Sequence, residues 1–557
     1  CLPLLATSQL ATAAVSDITQ MSLEQLLDVT IIGASKYEQK QDEVAAAVSV
    51  ITRSEIKAFG WRTLDEALAS LPGIHTTYDR QYNYIGTRGF GLPGDFNTRV
   101  LLTINGNRVN DVVYDSAISG RAFPVDVDLI ERIEFIPGPG GAVYGQNALF
   151  GVVNVVTRSG EGVDGAELAV AYQDPQSARE GRATWGRTLD NGLDVLVSAS
   201  AYKSDGEDLF FEYPGASADF PWLPSESGVA RGMDGERDKE FFARLARGPW
   251  SFDFSYGDRR KDDPTATYFS EPLAPGQYER DRHLLTQLQY QDSFADDTLH
   301  LSARLFLGRE RYTALFSYGT PYFATGSSDW QGVEARLLST AWAGHKLMVG
   351  LEVQDNSRRD QTNEDLVNPA NNLVIPGSGW RAGVYAQDEW ALGETLSATL
   401  GLRFDRNSVT GNDLSPRAAL IWKASPNTTV KGLYGRAHRA PNAFERDYDD
   451  QGTSDTQVAN PDLDGETIDT LELVMDHRLG PSLLVRGSVY QWKMKGLVTL
   501  GTDALSGLSQ YQSGEDVKAN GVELSADKTW DWGGRLRGSL SYQDVAYASG
   551  AGLDNSP

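Results

Sequence analysis

Cysteine is nearly absent from this chain. Cys1 stands alone among 557 residues, so no internal disulfide forms and no Cys/His zinc spacing exists. Histidine is scarce: six residues, at 75, 283, 300, 345, 438 and 477, are scattered singly and read as surface or satisfied side chains, since ligands come in clusters. No metal and no cofactor is therefore expected. No apolar run reaches the ~18 residues that a transmembrane helix requires. Basic residues are outnumbered, 50 Lys+Arg against 76 Asp+Glu, for a formal net charge of −26. Phosphate would be repelled, which argues against nucleic acid as a partner. Neither a nucleophile elbow nor a histidine-centred triad is visible, which argues against an enzyme.

What the chain does hold is glycine, 56 residues, and aromatics at 10%. An acidic chain that is rich in Gly and Tyr, poor in cysteine and free of apolar helices has the profile of a bacterial outer-membrane barrel. A large extracellular all-β protein could share it. The N-terminus, CLPLLATSQLATAAVSD, reads as the tail of a signal peptide (1–14), with Ala11-Thr12-Ala13 as cleavage site. The rival reading takes Cys1 as a lipidated cysteine. Either reading sends the protein across the inner membrane.

Gly89-Phe90-Gly91-Leu92-Pro93-Gly94 matches G-x-G-x-x-G. A dinucleotide turn needs a helix immediately after it. Here VLLTI follows, a strand-like run, and then Asn105-Gly106, a hairpin signal. The cofactor reading fails, and these glycines are expected to serve the fold. Nearby, Val48, Val50 and Ile51 predict a short strand. Thr63 is expected to cap a helix with Leu64, Ala67, Leu68 and Leu71 on one face, stopped by Pro72-Gly73.

The stretches LPGI, IGTRGFG, RVLLTINGNRVN and LIERIEFIPGPGGAVYGQNALFGVVNVVTR occur in that order within 28–160. Downstream stand VYAQDEW, LSATLGLRFD, LSPRAALIW, YGRAHRAPNAFE, NPDLDGETIDTLEL and NGVELSA. Together they resemble a TonB-dependent outer-membrane receptor over nearly the whole chain. The resemblance implies a periplasmic N-terminal segment (15–42), a mixed α/β plug (43–160) and a transmembrane antiparallel β-barrel (161–557) around it.

The barrel is also visible without the resemblance. From about residue 165, apolar and polar residues alternate in runs of roughly ten. Tight turns near 189–192, 247–250, 294–297, 343–346, 392–395, 425–428, 479–482 and 531–534 alternate with long polar loops near 204–235, 258–281, 311–328, 355–378, 438–464 and 495–517. That one-sided asymmetry marks tight periplasmic turns and long external loops. The pattern gives about 17 strands where plugged transporters have about 22, so a C-terminal fragment of roughly five strands is expected to be missing.

The resemblance further implies active import of a large scarce ligand, a ferric siderophore or a cobalamin-like molecule. The energy would come from TonB and its inner-membrane complex, with outer-membrane lipid around the barrel. Asp28, Val29, Thr30, Ile31 and Ile32, followed by Gly33, resemble the family's TonB box, and strand addition is a plausible binding mode. Arg88 and Arg132 are candidates for the plug side of a charge lock, Glu472 and Glu523 for the barrel side. Ligand candidates are Tyr78, Arg80, Tyr82 and Tyr84 in one plug loop, with Phe211, Tyr268 and Tyr322 in external loops. Trp222, Phe269, Tyr318 and Trp330 add aromatic surface, which suits ring-bearing ligands. Lipid-interface or packing roles are the plainer alternative for these aromatics. The acidic stretch DYDDQGTSD (447–455) reads as solvated charge or, less simply, a Ca²⁺ loop. A passive porin or adhesin is the competing function, and a plug segment argues against an open pore.

Overall fold

The computed structural model describes residues 30–33, 35–91, 95–212, 228–530, 532 and 534–549. The stretch read as a signal peptide, Asp28, Val29, Trp222 and the last residues of the chain lie outside them.

Two bodies follow from two hydrophobic patterns. In the first, five strands pair in the order Ser49–Thr52, Ile130–Pro137, Gly151–Thr157, Val100–Ile104, Asn107–Arg108. Their near-continuous apolar runs bury both faces, as expected of a sheet with a parallel pair; Val100–Ile104 and Gly151–Thr157 form that pair. Ile51, Leu68, Leu102, Ile133, Phe135, Val153 and Val155 are at most 1% exposed and share one core. The Asn105-Gly106 signal closes the hairpin between Val100–Ile104 and Asn107–Arg108, both residues having positive φ. The helix Leu64–Leu68 forms, though Thr63 makes no side-chain cap bond. The capping box belongs instead to an unanticipated helix, Arg53–Phe59. There Thr52 and Glu55 cap each other's backbone.

The glycine motif serves the turn after the strand Asn83–Thr87. Gly91 has φ +124°, and a Cβ there would stand 2.6 Å from the Cα of Gly86. Only glycine allows this approach.

The second body is an eighteen-stranded antiparallel sheet running from Gly165–Gln173 to Arg535–Tyr547. One member, Leu373–Ile375, is a three-residue strand beside His345–Asp365. The other strands have between nine and 21 residues. Alternation places apolar side chains outside: Leu471, Leu473 and Met475 on one strand and Leu400, Leu402 and Phe404 on another are 44–65% exposed. Their neighbours Thr470, Glu472 and Val474 are buried inside. An outward apolar face with a polar interior fits a barrel in lipid. Trp250, Trp342, Trp390 and Trp422 are exposed beside the tight turns, forming one aromatic girdle at the membrane interface.

The tight turns fall where the sequence placed them. The long loop expected near 311–328 does not exist. Leu299–Ser317 and Pro321–Ser339 run through it and close over three residues. A strand of 19 residues overshoots the ~9–11 that cross a bilayer. Beyond the lipid both of its faces are wet, so the sequence there loses its apolar alternation while the ladder continues.

Candidate functional site

The plug sits inside the curved sheet and is held by buried charge. Arg88 follows the strand Asn83–Thr87 and its side chain is fully buried. Its Nη2 donates to Glu472 Oε1 at 2.6 Å and to Glu523 Oε2 at 3.0 Å, and its Nε donates to Glu523 Oε1 at 3.1 Å. The guanidinium carbon also lies 3.9 Å from the Tyr490 ring centroid, a cation–π contact. Burial opposes the guanidinium charge, but the Glu472 and Glu523 carboxylates outweigh it and raise its pKa above the ordinary arginine value. Gly73 is part of the same geometry: a Cβ there would meet Glu523 Oε1 at 2.3 Å.

Arg132 does not reach the wall. It lies two residues from Glu134 on one strand, hence on the same face, and its Nε donates to Glu134 at 2.7 Å. That local partner keeps it within the plug. A second buried contact to the wall comes instead from Arg99, which sequence reasoning missed. Arg99 Nη2 donates to Glu466 at 2.6 Å, and Glu466 also accepts from Arg439, which binds Glu445. Its signal was an arginine in a segment rich in plug contacts, opposite a glutamate that begins the same strand as Glu472.

The N-terminal segment is docked. Thr30–Ile31 pairs antiparallel with Gln39–Lys40. Ile31 is 1% exposed among Val44, Val48, Leu101, Ile136 and Val152. The backbone N–H groups of Ile32 and Gly33 donate to the Glu134 carboxylate, Gly33 at 2.6 Å. Glu134 also accepts from Asn154 Nδ2. Arg132 and Asn154 thus orient the carboxylate that holds this segment.

On the opposite side, the predicted ligand residues divide. Tyr78 is 46% exposed and its hydroxyl donates to the Arg80 carbonyl. Arg80 pairs with Glu207 and Asp234. Tyr82 donates to Asp281 on the wall. Tyr84 is turned inward, 7% exposed, with its hydroxyl on Asp79. Phe211 is half-buried. Tyr268, Phe316, Tyr318 and Tyr322 form a chain of ring contacts 5.6–6.4 Å apart. Trp330 is a wall residue 1% exposed in the shared plug–wall core, not a loop aromatic.

The densest aromatic cluster was not anticipated. Phe96 and Tyr114 of the plug stack at 5.2 Å. Phe444 packs against both and against Tyr448 and Tyr511, while Tyr312 meets Tyr114 edge-on. All six are half-buried. They come from five distant segments, so no local pattern marks them. Asp111 anchors the loop beneath: it accepts backbone N–H bonds from Val113, Tyr114 and Ser116. Burial pushes its carboxyl up to about 6 against those bonds. In the acidic stretch 447–455, Asp449, Asp450 and Asp455 accept backbone N–H groups and close turns.

Comparisons with known proteins agree with this architecture. The TonB-dependent receptor plug domain matches residues 40–152, and the TonB-dependent receptor-like β-barrel matches 226–557. An iron-regulated outer membrane virulence protein of Vibrio cholerae serotype O1 is 24% identical, over 85% of this chain and 69% of its own length. The vitamin B12 transporter BtuB of the same species is 23% identical, over 93% and 79%. Among solved structures, a variant of the ferric enterobactin receptor PfeA from Pseudomonas aeruginosa superposes with a TM-score of 0.70 at 19% identity, covering 89% of this chain and 80% of that one. The alcaligin receptor FauA from Bordetella pertussis gives 0.68 at 17%, covering 95% and 85%. A plug sheet inside a wide antiparallel barrel, matched by both family profiles over most of the sequence, makes this chain a member of the TonB-dependent receptors of the Gram-negative outer membrane.

Proposed function

We propose that this receptor imports a ferric siderophore carrying aromatic chelating groups, with TonB pulling on the segment 28–33. The observation that carries the reading is the cluster of Phe96, Tyr114, Tyr312, Phe444, Tyr448 and Tyr511, half-buried where the plug meets the loops. Offset and edge-on ring contacts favour a ring-bearing ligand over a plain polar one. The iron-regulated relative and the siderophore-receptor neighbours support the same class. Ligand capture would occur at this cluster, and release would follow when Arg88 and Arg99 of the plug are loosened from Glu472, Glu523 and Glu466 of the wall.

A second reading, cobalamin import by the same mechanism, is supported by the BtuB relatives. Titrating the purified receptor with a ferric catecholate and, separately, with cyanocobalamin, read by tryptophan quenching, separates the two. The ferric catecholate is expected to bind, and Phe444→Ala to weaken it about tenfold, the scale of one lost aromatic anchor. Binding of cobalamin alone would replace the siderophore reading. Ferric catecholate binding indifferent to Phe444→Ala would remove the cluster from the site.

A further inference from the structure

His283, which the sequence offers as a surface or satisfied histidine, is neither. It is 1% exposed, and neither ring nitrogen has a hydrogen-bond partner. It stands on the strand Tyr278–Phe294, directly opposite Glu310 on Leu299–Ser317. Asp281 precedes it by two residues on the same inward face. One donor atom from each of Asp281, His283 and Glu310 lies within 4.8 Å of the others. Glu310 Oε2 is also unpartnered.

The surrounding charges leave a local excess of carboxylate. Asp111 of the plug is nearby: it accepts from Ser328 Oγ at 3.3 Å, and Ser328 is in register with Glu310 on the next strand. Arg259 stands 3.7 Å from Asp281 but is committed to Glu236 at 2.6 Å and to the Gln81 carbonyl. Arg311 is committed to Asp329 and to backbone carbonyls. Burying two carboxylates beside a dry imidazole is costly unless protons or a cation neutralise them, and a cation would also satisfy the bare imidazole nitrogen. One imidazole and two carboxylates make a three-ligand nitrogen–oxygen set that suits Zn²⁺-class ions and leaves a position open. Ca²⁺ and Mg²⁺ ask for about six or more oxygen atoms, which this trio does not supply.

We propose that Asp281, His283 and Glu310 form a binding site for a divalent transition ion of the Zn²⁺ class in the barrel wall. The ion is held directly by protein and is distinct from iron carried in a chelate. The plug lies over the site: the Tyr82 hydroxyl donates to both Asp281 oxygens at 3.1 Å. Occupancy therefore bears on how the plug apex seats against the wall.

Chelator-stripped receptor titrated with Co²⁺ tests the proposal through the visible d–d absorption of the bound ion. The native receptor is expected to develop this absorption to saturation, to lose it on adding Zn²⁺ and to keep it in excess Ca²⁺. His283→Gln and Glu310→Gln are each expected to weaken binding by more than the roughly tenfold that losing an outer partner costs. His300→Gln, at a half-buried histidine remote in sequence from the trio, is expected to leave it unchanged. Retained heat-resistant mobility in electrophoresis identifies folded variants, and each of the two variants tests the site independently. Absent absorption in the native receptor, displacement by Ca²⁺, or unchanged binding in a folded His283→Gln or Glu310→Gln would overturn the site.

Discussion

Arg88 ties the plug to two strands of the wall at once. Two glutamates from different strands converge on it, and an aromatic ring covers its face. Removing it strands the buried Glu472 carboxylate and the half-buried Glu523 one, and breaking a buried pair typically costs about 3–5 kcal/mol. Arg88→Ala is therefore expected to lower the force or denaturant needed to extract the plug, measurable by single-molecule pulling on the N-terminus. A double-mutant cycle of Arg88→Ala with Glu472→Gln should return a coupling of about 0.5–3 kcal/mol; additive effects would dissolve the lock. Arg88→Lys should also weaken it, since an ammonium cannot span both carboxylates as the guanidinium fork does. Asp65 offers a pH test at the same scale. It is 5% exposed with Oδ1 unpartnered, and burial pushes its carboxyl up to about 6 from 3.8. A folded pKa above the unfolded one gives stability present below about 3.8 and lost as pH rises through about 6. Asp65→Asn should accordingly raise the plug's melting temperature at pH 8 and change little at pH 4.

At the scale of elements, the N-terminal segment is held by two different kinds of contact. Ile31 is buried, which contributes about 2 kcal/mol, and the Glu134 carboxylate holds the next two backbone N–H groups. Glu134→Ala is expected to increase hydrogen exchange at Ile32 and Gly33 while ligand affinity stays unchanged. Unchanged exchange would mean that the strand pairing alone retains the segment. The sequence made this region partly legible. The segment 28–33 could be picked out by its β-prone run and its resemblance, but its docking depends on Glu134, about a hundred residues away. Arg132 misled for a local reason: a carboxylate two residues along the same strand satisfies it. The barrel strands were readable because lipid imposes a period of two, and the external ends were not, because two wet faces impose none. Phe96, Tyr114 and Phe444 gather only through tertiary folding, and so do His283 and Glu310, which lie opposite each other only once register is set.

For the whole molecule, the plug fills the lumen and its buried ion pairs tie it to strands around the wall. That arrangement fits a closed gate better than a diffusion pore. Planar-bilayer conductance of the receptor is expected to be close to baseline and to rise when Arg88 and Arg99 are both replaced by alanine. The most direct measurement is energy-dependent uptake of a labelled ferric catecholate by receptor-deleted cells complemented with this receptor, comparing native, Ile31→Val and Ile31→Pro. Proline removes a backbone donor and the strand pairing, whereas valine keeps both. Uptake by the native and Ile31→Val receptors, abolished by Ile31→Pro and by a protonophore, with surface binding of the ligand retained, is the predicted result. Uptake that persists in Ile31→Pro, or that ignores the protonophore, would contradict import driven through this segment.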